Sequence, residues 1–352
     1  MKRIIIAGAA LAAIAVAAFV ALETAPVETW LFRRIAYHTL AQPQPVLAQK
    51  DELSVLFCGA GSPLPDASRG GPCTLIAAGD KLYLVDAGID SARNLMLWRI
   101  PLEKIQAVLL THFHSDHIGE LGEIRLQTWV AGRNKPLAVY GPPGVERVVG
   151  GFNEAYALDA GYRTAHHGAA MLPPDAVAMV PHAIAPGTVL DFDGLKVTAI
   201  KVHHDPAKPA YGYRFDYKGR SIVVSGDTAP DENLARAAHG ADVLVHEGLS
   251  PEMVGIMHDA LAASGHPRQA KIFHDIPPYH TSPVDAARIA NEAQVKLLVF
   301  THIIPILPNR FAERLFLHGV SDVRTAGVEL AHDGMVIRLP AGSSEIRESG
   351  AP

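Results

Sequence analysis

Short apolar runs, bounded by Gly, Pro or Asp, recur along the chain from residue 53 onward and alternate with segments of helical periodicity. Runs of this kind that are rich in β-branched and aromatic residues are typical of strands. Helical spacing of apolar residues occurs between them, in SARNLMLWRI and IGELGEIRLQTWV. The predicted strands are LSVLFCG, CTLIAAG, KLYLVDAG, AVLLTH, LKVTAIKV, YGYRFDY, RSIVVSGD, DVLVHEG and KLLVFTHI.

A later segment, PVDAARIANEA, carries the start signals of a helix. Ser282 stands at the capping position, Pro283 in the first turn and Asp285 three residues after the cap. Strands and helices thus follow one another in a mixed order. We predict an α/β fold, an αββα sandwich in which two mixed β-sheets pack face to face between flanking helices, rather than a doubly wound Rossmann sheet.

The C-terminal part of the chain contains a hairpin signal and a polar end. In VELAHDGMVIRLP, a DG pair separates two apolar stretches, which predicts a β-hairpin. Residues 342–352 are mostly polar and small, and we predict that they form a tail.

The first residues differ from the rest of the chain. Lys2 and Arg3 precede an unbroken apolar run over residues 4–22, close to the roughly 20 residues that a membrane-spanning helix needs. We predict a signal-anchor or signal peptide over residues 1–22 and favour an uncleaved anchor, with a buried core helix as the alternative. The positive-inside rule then places the rest of the chain outside the cytoplasm, membrane-anchored, periplasmic or secreted.

Residues 23–50 are expected to connect this segment to the globular domain. Val27, Trp30 and Leu31 have helical spacing, which predicts a short helix at the membrane surface or against the domain. The segment AQPQPVLAQ ends that helix, and we expect the domain to occupy residues 51–341.

Composition limits the classes of function. The chain has 352 residues with 49% hydrophobic content, enough for one large domain or two small ones. Its net charge of −5 is spread over both signs and gives no global attraction to polyanions. A dedicated nucleic-acid binder is therefore not expected.

The stretch THFHSDH concentrates metal-binding side chains directly after a predicted strand. His112, His114, Asp116 and His117 fall within seven positions, an arrangement expected by chance in about 0.003 of chains of this composition. Neutral imidazoles and carboxylates are the usual ligands of divalent ions such as zinc, whereas the alternative is a solvated polar turn. Two histidines can hold one ion and Asp with His a second, so a metal site requires further ligands elsewhere.

Further candidate ligands stand where later strands are predicted to end. They are His203 and His204 after KV, Asp227 in VVSGDT and His302 in VFTHI.

These motifs, in this order, resemble the metallo-β-lactamase superfamily, in its branch containing tRNase Z and a group of zinc arylsulfatases. The resemblance covers about residues 53–340 and is carried by LYLVDAG, the THFHSDH loop, PAYGYRFD, SGDT, VHEG, YHTSP and FTHI. It implies two Zn²⁺ ions. The implied ligands are His112, His114 and His204 for one ion, Asp116, His117 and His302 for the other, and Asp227 between both.

Two positions near the implied ligands carry further expectations. His204 fits the family spacing before PAYGYR better than His203, although exchange of the two neighbours is left open. Asp86 ends a predicted strand, and we expect its carboxylate to hydrogen-bond the ligand loop and orient an imidazole.

Ligands of these types imply a hydrolase. Two divalent ions lower the pKa of a water held between them and neutralise charge that develops on the attacked group. Asp116 would also orient that water. By resemblance, His280 of YHTSP and Glu247 of VHEG form an acid pair that protonates the leaving group, the carboxylate keeping the imidazole charged.

The bond that is broken is less well specified. Arg163, His166 and His167 lie in an insert that is predicted to be rich in loops, where Arg163 could meet an anionic substrate group or the loop could be merely solvated. tRNase Z carries a long tRNA-binding arm where this chain has only FDYKG between Arg214 and Arg220. We therefore expect a small extracytoplasmic ester as substrate, arylsulfatase-like or phosphodiesterase, with a ribonuclease Z-like activity on RNA or a lactonase as alternatives.

Other classes of protein and assembly remain open from the sequence. A metal-storage or sensing module would explain the histidines without catalysis, and an interaction domain that has lost activity would be expected to have lost ligands. A homodimer is left open. The only cysteines, Cys58 and Cys73, lie on predicted neighbouring strands, and we expect two buried free thiols in preference to a disulfide.

Overall fold

A computed structural model describes residue 16, residues 24–42, residue 47 and residues 51–351. The chain divides into two units, Met1–Gln44 and Pro45–Pro352. In the first unit, the helix predicted in the connector is observed as α1, Ala25–Leu40. Apart from residue 16, the anchor predicted over residues 1–22 lies outside the described residues. Within the parts of the chain that are described, no helix has the length and apolar content to cross a bilayer.

The second unit contains two mixed β-sheets. The first has eight strands in the order β15-β14-β1-β2-β3-β4-β5-β6, and the second has seven in the order β13-β12-β11-β10-β9-β8-β7. The strands are β1 Glu52–Gly59, β2 Cys73–Ala78, β3 Lys81–Val85, β4 Ile105–Leu109, β5 Leu137–Gly141, β6 Met179–Ala183, β7 Val189–Phe192, β8 Leu195–Val202, β9 Ala210–Tyr217, β10 Arg220–Val224, β11 Val243–Leu249, β12 Leu297–Ile304, β13 Val328–Leu330, β14 Met335–Pro340 and β15 Arg347–Gly350.

Helices connect the parallel strands and cover the outer faces of both sheets. They are α2 Ser91–Leu97, α3 Ser115–Ile118, α4 Leu121–Val130, α5 Val145–Ala155, α6 Ala157–His167, α7 Glu232–Ala237, α8 Pro251–Ala263, α9 Pro267–Asp275, α10 Pro283–Glu292, α11 Arg310–Phe316 and α12 Val320–Val323. The predicted start of α10 is confirmed, because Ser282 Oγ accepts a hydrogen bond from the Asp285 backbone N–H at 3.1 Å.

The alternation of side chains along β1 shows how the layers are built. Leu53, Val55 and Phe57 point into the core between the two sheets, whereas Leu56 packs on the opposite face beneath the helices. A third apolar cluster joins the outer face of the second sheet to its own helices. The predicted αββα sandwich is thereby confirmed.

The hairpin predicted around the DG pair is wrong. β13 pairs with β12 in the second sheet, and β14 pairs with β1 in the first, so the turn crosses from one sheet to the other. The Asp333 carboxylate accepts hydrogen bonds from the backbone N–H groups of Ala60 and Gly70 at 3.0 and 2.7 Å. These side-chain bonds fix the turn to a neighbouring loop and separate the two strands.

The polar end of the chain is not a simple tail. Arg347–Gly350 forms β15, which pairs antiparallel with β14 at the edge of the first sheet. An edge strand can be polar on both faces because its position demands backbone pairing rather than burial.

The two cysteines form a disulfide, which corrects the expectation of free thiols. The pairing of β1 with β2 shifts between Phe57 and Gly59, so that Cys73 lies opposite Gly59. This irregularity brings the Cα atoms of Cys58 and Cys73 to 5.0 Å, inside the range that a disulfide requires.

Candidate metal centre

The histidine-rich loop leaves the C-terminal end of β4, where it enters the short helix α3. His114 has extended backbone (φ −61°, ψ 147°) and precedes that helix, whose first turn carries Asp116 and His117. The change from extended to helical backbone separates the four side chains into two pairs. His112 and His114 lie before the turn, and Asp116 and His117 lie within it.

The first pair forms a cluster with His204 and Asp227, which follow two strands of the second sheet. His114 Nδ1 lies 2.9 Å from His112 Nε2 and 3.3 Å from His204 Nε2. Asp227 completes this cluster, and the potential ligand atoms of the four residues all lie within 4.8 Å of one another.

The second pair forms a cluster with a residue from β12. Asp116 Oδ2 lies 3.5 Å from His117 Nε2 and 3.4 Å from His302 Nε2. Asp227 of the first cluster also contacts this one, because its Oδ2 is 3.3 Å from His117 Nε2 and 3.2 Å from His302 Nε2. The same oxygen is 3.9 Å from His112 Nε2, so Asp227 lies where the two clusters meet.

His302 reaches the centre through an irregularity in β12, not from a strand end as the sequence suggested. Glu247 pairs with Thr301 and Gly248 with Ile303, which leaves His302 as the extra residue of a bulge. Its φ of +45° is in the left-handed region that a non-glycine residue rarely adopts. Bulges of this kind redirect a side chain next to active sites, and strained backbone accumulates there.

Asp86 fixes the position of the ligand loop through hydrogen bonds. Its carboxylate accepts hydrogen bonds from the backbone N–H and the hydroxyl of Thr111, both at 2.8 Å. Asp86 Oδ2 also lies 2.8 Å from His117 Nδ1, which leaves Nε2 of that ring directed to the second cluster. The expected orienting role of Asp86 is confirmed in these contacts.

The protonation of the first cluster suits cation binding, whereas in the second cluster burial lowers the pKa of His117 but Asp227 and Asp86 outweigh it and raise that pKa. Burial lowers the pKa of His112 far below its ordinary value and that of His204 to about 4, so both imidazoles are neutral. Burial raises the pKa of Asp227, but His302 and His117 outweigh it and hold that pKa well below the ordinary range. Neutral imidazoles and an ionised carboxylate are the forms in which these groups bind metals.

Three buried polar atoms of the two clusters have no hydrogen-bond partner among the described residues: His117 Nε2, His302 Nδ1 and Asp227 Oδ1. A divalent ion of borderline softness would satisfy atoms of these types, because nitrogen and carboxylate oxygen are its preferred donors. The residues present therefore fit a zinc-like ion.

The structure distinguishes the two neighbouring histidines after β8. His203 is 62% exposed in its side chain, and its Nδ1 lies 2.6 Å from Asp231 Oδ2. His204 is buried in the first cluster, where the Tyr279 carbonyl lies 3.0 Å from its Nδ1 and orients the ring. Sequence reasoning missed Tyr279, although its position directly before His280 could have marked it.

His280 and Glu247 lie beside the clusters as a pair. His280 Nδ1 is 3.1 Å from Glu247 Oε1, and the His280 ring stacks on His302 with centroids 5.5 Å apart. Burial lowers the pKa of His280, and burial with Asp227 raises that of Glu247. Burial thus works against the expected charged imidazole. A ligand atom of His280 also lies within 4.8 Å of those of Asp227 and His302, a proximity the sequence did not indicate.

The predicted substrate residues lie on a helix rather than in a loop. Arg163, His166 and His167 belong to α6, and Arg163 Nε binds the Asp159 carboxylate one turn away at 2.8 Å. The rings of His166 and His167 contact each other at 5.9 Å. None of the contacts described for these three residues reaches the two clusters, so their substrate role stays a prediction.

Comparisons with known proteins agree with this architecture. Residues 82–303 match the family described as "Beta-lactamase superfamily domain". Ribonuclease Z from Mycobacterium bovis is 38% identical over 258 residues, which cover 72% of this chain and 87% of that protein. Ribonuclease Z from Mycobacterium marinum is 37% identical over 72% of this chain and 88% of its own.

Solved structures share the fold at lower identity. The metallo-beta-lactamase fold protein YhfI from Bacillus subtilis superposes with a TM-score of 0.61 at 21% identity, covering 82% of this chain and 100% of its own. The short form of human tRNase Z gives a TM-score of 0.57 at 21% identity, covering 81% and 98%.

The αββα sandwich and the two clusters of histidines and aspartates define a metal-dependent hydrolase. The chain belongs to the metallo-β-lactamase superfamily, in the branch that contains ribonuclease Z.

Proposed function

We propose that this chain is a ribonuclease Z-like phosphodiesterase that hydrolyses phosphodiester bonds of RNA with two zinc ions. The observation that carries the proposal is the 38% identity to ribonuclease Z over 87% of that enzyme's length. Sequence reasoning gave first place to a small extracytoplasmic ester, either a sulfate ester or a phosphodiester, and set nucleic acid aside because of the missing arm, the predicted export and the acidic net charge. The relatives favour the ribonuclease Z-like alternative, since a local site can bind phosphate whatever the net charge of the chain.

The metal ligands of the proposal are the seven side chains of the two clusters. Ions held there would stabilise charge on the phosphoryl oxygens and supply a nucleophile at neutral pH. The proposed ligands of the first ion are His112, His114 and His204, those of the second are Asp116, His117 and His302, and Asp227 contacts both.

Besides its proposed role as a metal ligand, Asp116 has a second role in this proposal. It is 9% exposed, whereas His117 and Asp227 are almost fully enclosed. Its carboxylate is therefore the one in the second cluster that an incoming water reaches most readily. We assign it the hydrogen bond that orients the attacking water toward phosphorus.

His280 and Glu247 provide the proton for the leaving oxygen. Glu247 is anchored by the Thr281 backbone N–H, which donates to Oε1 at 2.8 Å. Because burial disfavours both charged forms, we assign one shared proton to the pair, whose His280 Nδ1 and Glu247 Oε1 lie 3.1 Å apart. His280 Nε2 is then the atom that donates to the leaving group, and transfer from Glu247 restores the ring.

The hairpin of β9 and β10 bears on the size of the substrate. Tyr217 pairs with Arg220 across a turn of Lys218 and Gly219, so this connection carries no long arm. We propose that RNA is recognised close to the cleaved bond rather than by a distant protrusion. The anchor proposed for residues 1–22 supports a substrate outside the cytoplasm.

The proposal is tested by comparing the rates at which this chain hydrolyses substrates with different scissile bonds. The zinc-loaded chain is assayed on an RNA with a 3′ extension, bis-nitrophenyl phosphate, nitrophenyl sulfate and an aliphatic lactone. We expect kcat/KM on the two phosphodiesters to exceed that on the sulfate and the lactone by about a hundredfold. Asp227→Ala, assayed in parallel, controls for contaminating nucleases. Faster cleavage of the sulfate or the lactone would refute the phosphodiester assignment.

A further inference from the structure

Tyr279 lies between a proposed metal ligand and the proposed acid of the same site. The centre of its phenol ring is 5.1 Å from that of the His204 imidazole and 5.0 Å from that of the His280 imidazole. Those two histidines are buried, whereas Tyr279 is only half-buried. The ring therefore stands at the edge of the metal centre, with part of its surface open to solvent.

The backbone of Tyr279 is held in a fixed position. Its carbonyl lies 3.0 Å from His204 Nδ1, and its N–H donates to the Ile276 carbonyl at 3.4 Å. Pro277 and Pro278 precede it in a single 3₁₀ turn, and each proline fixes one backbone dihedral. An aromatic side chain on such a support loses little conformational freedom when a ligand packs against it.

The side chain of Tyr279 makes no hydrogen bond to another described residue. Every bond described for Tyr279 uses its backbone, and the hydroxyl is not among the buried polar atoms that lack a partner. The phenol ring is at 85° to the His204 ring and at 46° to the His280 ring, so neither imidazole stacks flat against it. A planar group from a ligand therefore finds an aromatic surface that no described ring already covers.

The surroundings of this ring favour a base rather than a phosphate as its ligand. Among the described contacts of the seven cluster residues, none involves a lysine or an arginine. Single-stranded RNA is commonly recognised by stacking of its bases on aromatic side chains, and every base has a flat face for that contact. The short turn between β9 and β10 carries no arm, so such a contact has to be made close to the cleaved bond.

We propose that Tyr279 stacks on the base of the nucleoside that leaves from the cleaved bond, an assignment that rests on the proposed function of the chain. The position follows from His280, which contacts the Tyr279 ring and protonates the leaving oxygen in that proposal. The base on the leaving ribose is thus the one next to this ring. Stacking is present both in the bound substrate and in the transition state, so it lowers KM and leaves kcat nearly unchanged.

The test combines one change in the protein with one change in the RNA. The full-length, zinc-loaded chain is first assayed on a short RNA, and the product without the phosphate identifies the leaving nucleoside. The same RNA is then prepared without a base at that nucleoside. On the complete RNA, Tyr279→Leu should raise KM at least about tenfold and change kcat by less than about twofold. On the abasic RNA, the unmodified chain should already have the higher KM, and Tyr279→Leu should raise it no further.

Two further variants are the controls. Tyr279→Phe keeps the flat ring and removes only the hydroxyl, so it should match the unmodified chain on both RNAs. Tyr37→Leu removes an aromatic side chain that is 73% exposed on α1, and it should leave KM unchanged on both RNAs. The zinc content of Tyr279→Leu should equal that of the unmodified chain, because the backbone carbonyl of residue 279, not its ring, meets His204 Nδ1.

Three results would overturn the stacking assignment. These are an equal KM of the unmodified chain on the two RNAs, the same loss in Tyr279→Leu on both RNAs, or a loss in Tyr279→Phe as large as that in Tyr279→Leu. The first result needs no variant, so it decides the question even if Tyr279→Leu loses zinc or does not fold. Cleavage of bis-nitrophenyl phosphate without cleavage of either RNA would instead refute the proposed function, and the stacking assignment with it.

Discussion

The carboxylate of Asp86 lies 2.8 Å from Nδ1 of His117 and meets the Thr111 backbone N–H at the same distance. Asp86 adopts a φ of +59° at the end of β3, a backbone conformation unusual for a residue other than glycine. One buried carboxylate thus fixes both the backbone of the ligand loop and the tautomer of an imidazole in the second cluster.

Asp86→Asn should weaken zinc binding by about 10- to 100-fold, because an amide cannot serve all three contacts of the carboxylate. A competition titration with a chelator measures the affinity. Asp231→Asn is the matched control, since Asp231 binds the exposed His203 and caps α7, a position where asparagine is tolerated. Equal zinc affinities in the two variants would contradict the role given to Asp86.

Metal content tests the arrangement of the two clusters. The zinc-loaded chain should hold two ions, and Asp227→Ala should lose most of both because Asp227 lies between the clusters. His204→Ala should lose about one ion, and His203→Ala, with its exposed side chain, should lose none. Elemental analysis of protein dialysed against zinc-free buffer gives the counts. A fully loaded chain with a single ion would overturn the two-ion proposal.

The ordered motifs were sufficient to predict the sandwich and to indicate which residues meet. A His-x-His-x-Asp-His run after a strand specifies two ligand pairs by local backbone geometry alone, as the turn into α3 shows. Such signals are local in the chain, and local signals are what a sequence expresses most directly. The preference for His204 over His203 came instead from the family resemblance, which left exchange of the two residues open.

The features that could not be predicted from the sequence depend on contacts between segments that are distant in the chain. The bulge at His302 follows from the pairing of β12 with β11, and nothing in VFTHI marks the extra residue. The DG pair resembled a hairpin turn, yet the Asp333 side chain binds residues some 270 positions earlier and carries the chain to the other sheet. Arg163 belongs to a helix that contains a glycine and buries only Ala160, so its sequence resembled a loop.

The disulfide should contribute to stability. Cys58 and Cys73 are separated by 15 residues, for which cross-linking is expected to contribute about 3 kcal/mol by limiting the unfolded chain. Cys58→Ser/Cys73→Ser should lower the free energy of unfolding by about that amount, measured by urea denaturation. Neither residue is a proposed ligand, so zinc content should be unchanged. Equal stability of the oxidised and the reduced chain would show that the bond contributes nothing.

An ion-pair network away from the metal centre predicts the response to acid. Asp242 accepts hydrogen bonds from Arg220 Nε at 3.0 Å and from Lys296 Nζ at 2.6 Å. Burial raises the pKa of Asp242, but these partners outweigh it, so the pKa is below its unfolded value. The stabilisation is therefore present above the unfolded pKa of about 4 and is lost as the pH falls through the folded pKa.

Asp242→Asn should consequently lower the free energy of unfolding at neutral pH by about 3 kcal/mol, because Arg220 is left buried without its counter-charge. The difference from the unmodified chain should shrink as the pH falls below about 4. Denaturation at several pH values provides the measurement, and Asp275→Asn, which removes an exposed pair with Lys271, is the control. A pH-independent difference would mean that packing, not charge, explains the loss.

Loss of His280 should depend on the leaving group of the substrate. If His280 protonates the leaving oxygen, His280→Ala should reduce kcat by about 10² to 10⁴ on RNA, whose leaving alkoxide is a strong base. A nitrophenolate leaves without a proton, so the same variant should retain most of its activity on bis-nitrophenyl phosphate. Glu247→Gln should show the same selectivity with a smaller loss, because Glu247 contacts the ring rather than the substrate.

Zinc content separates this role from a ligand role. Ligand atoms of His280, Asp227 and His302 lie within 4.8 Å of one another, so His280 is placed where it could bind metal as well. If the acid role is correct, His280→Ala keeps the zinc content of the unmodified chain and loses activity only on the poor leaving group. An equal loss on both substrates with metal retained would assign His280 to positioning, and loss of an ion would make it an eighth ligand.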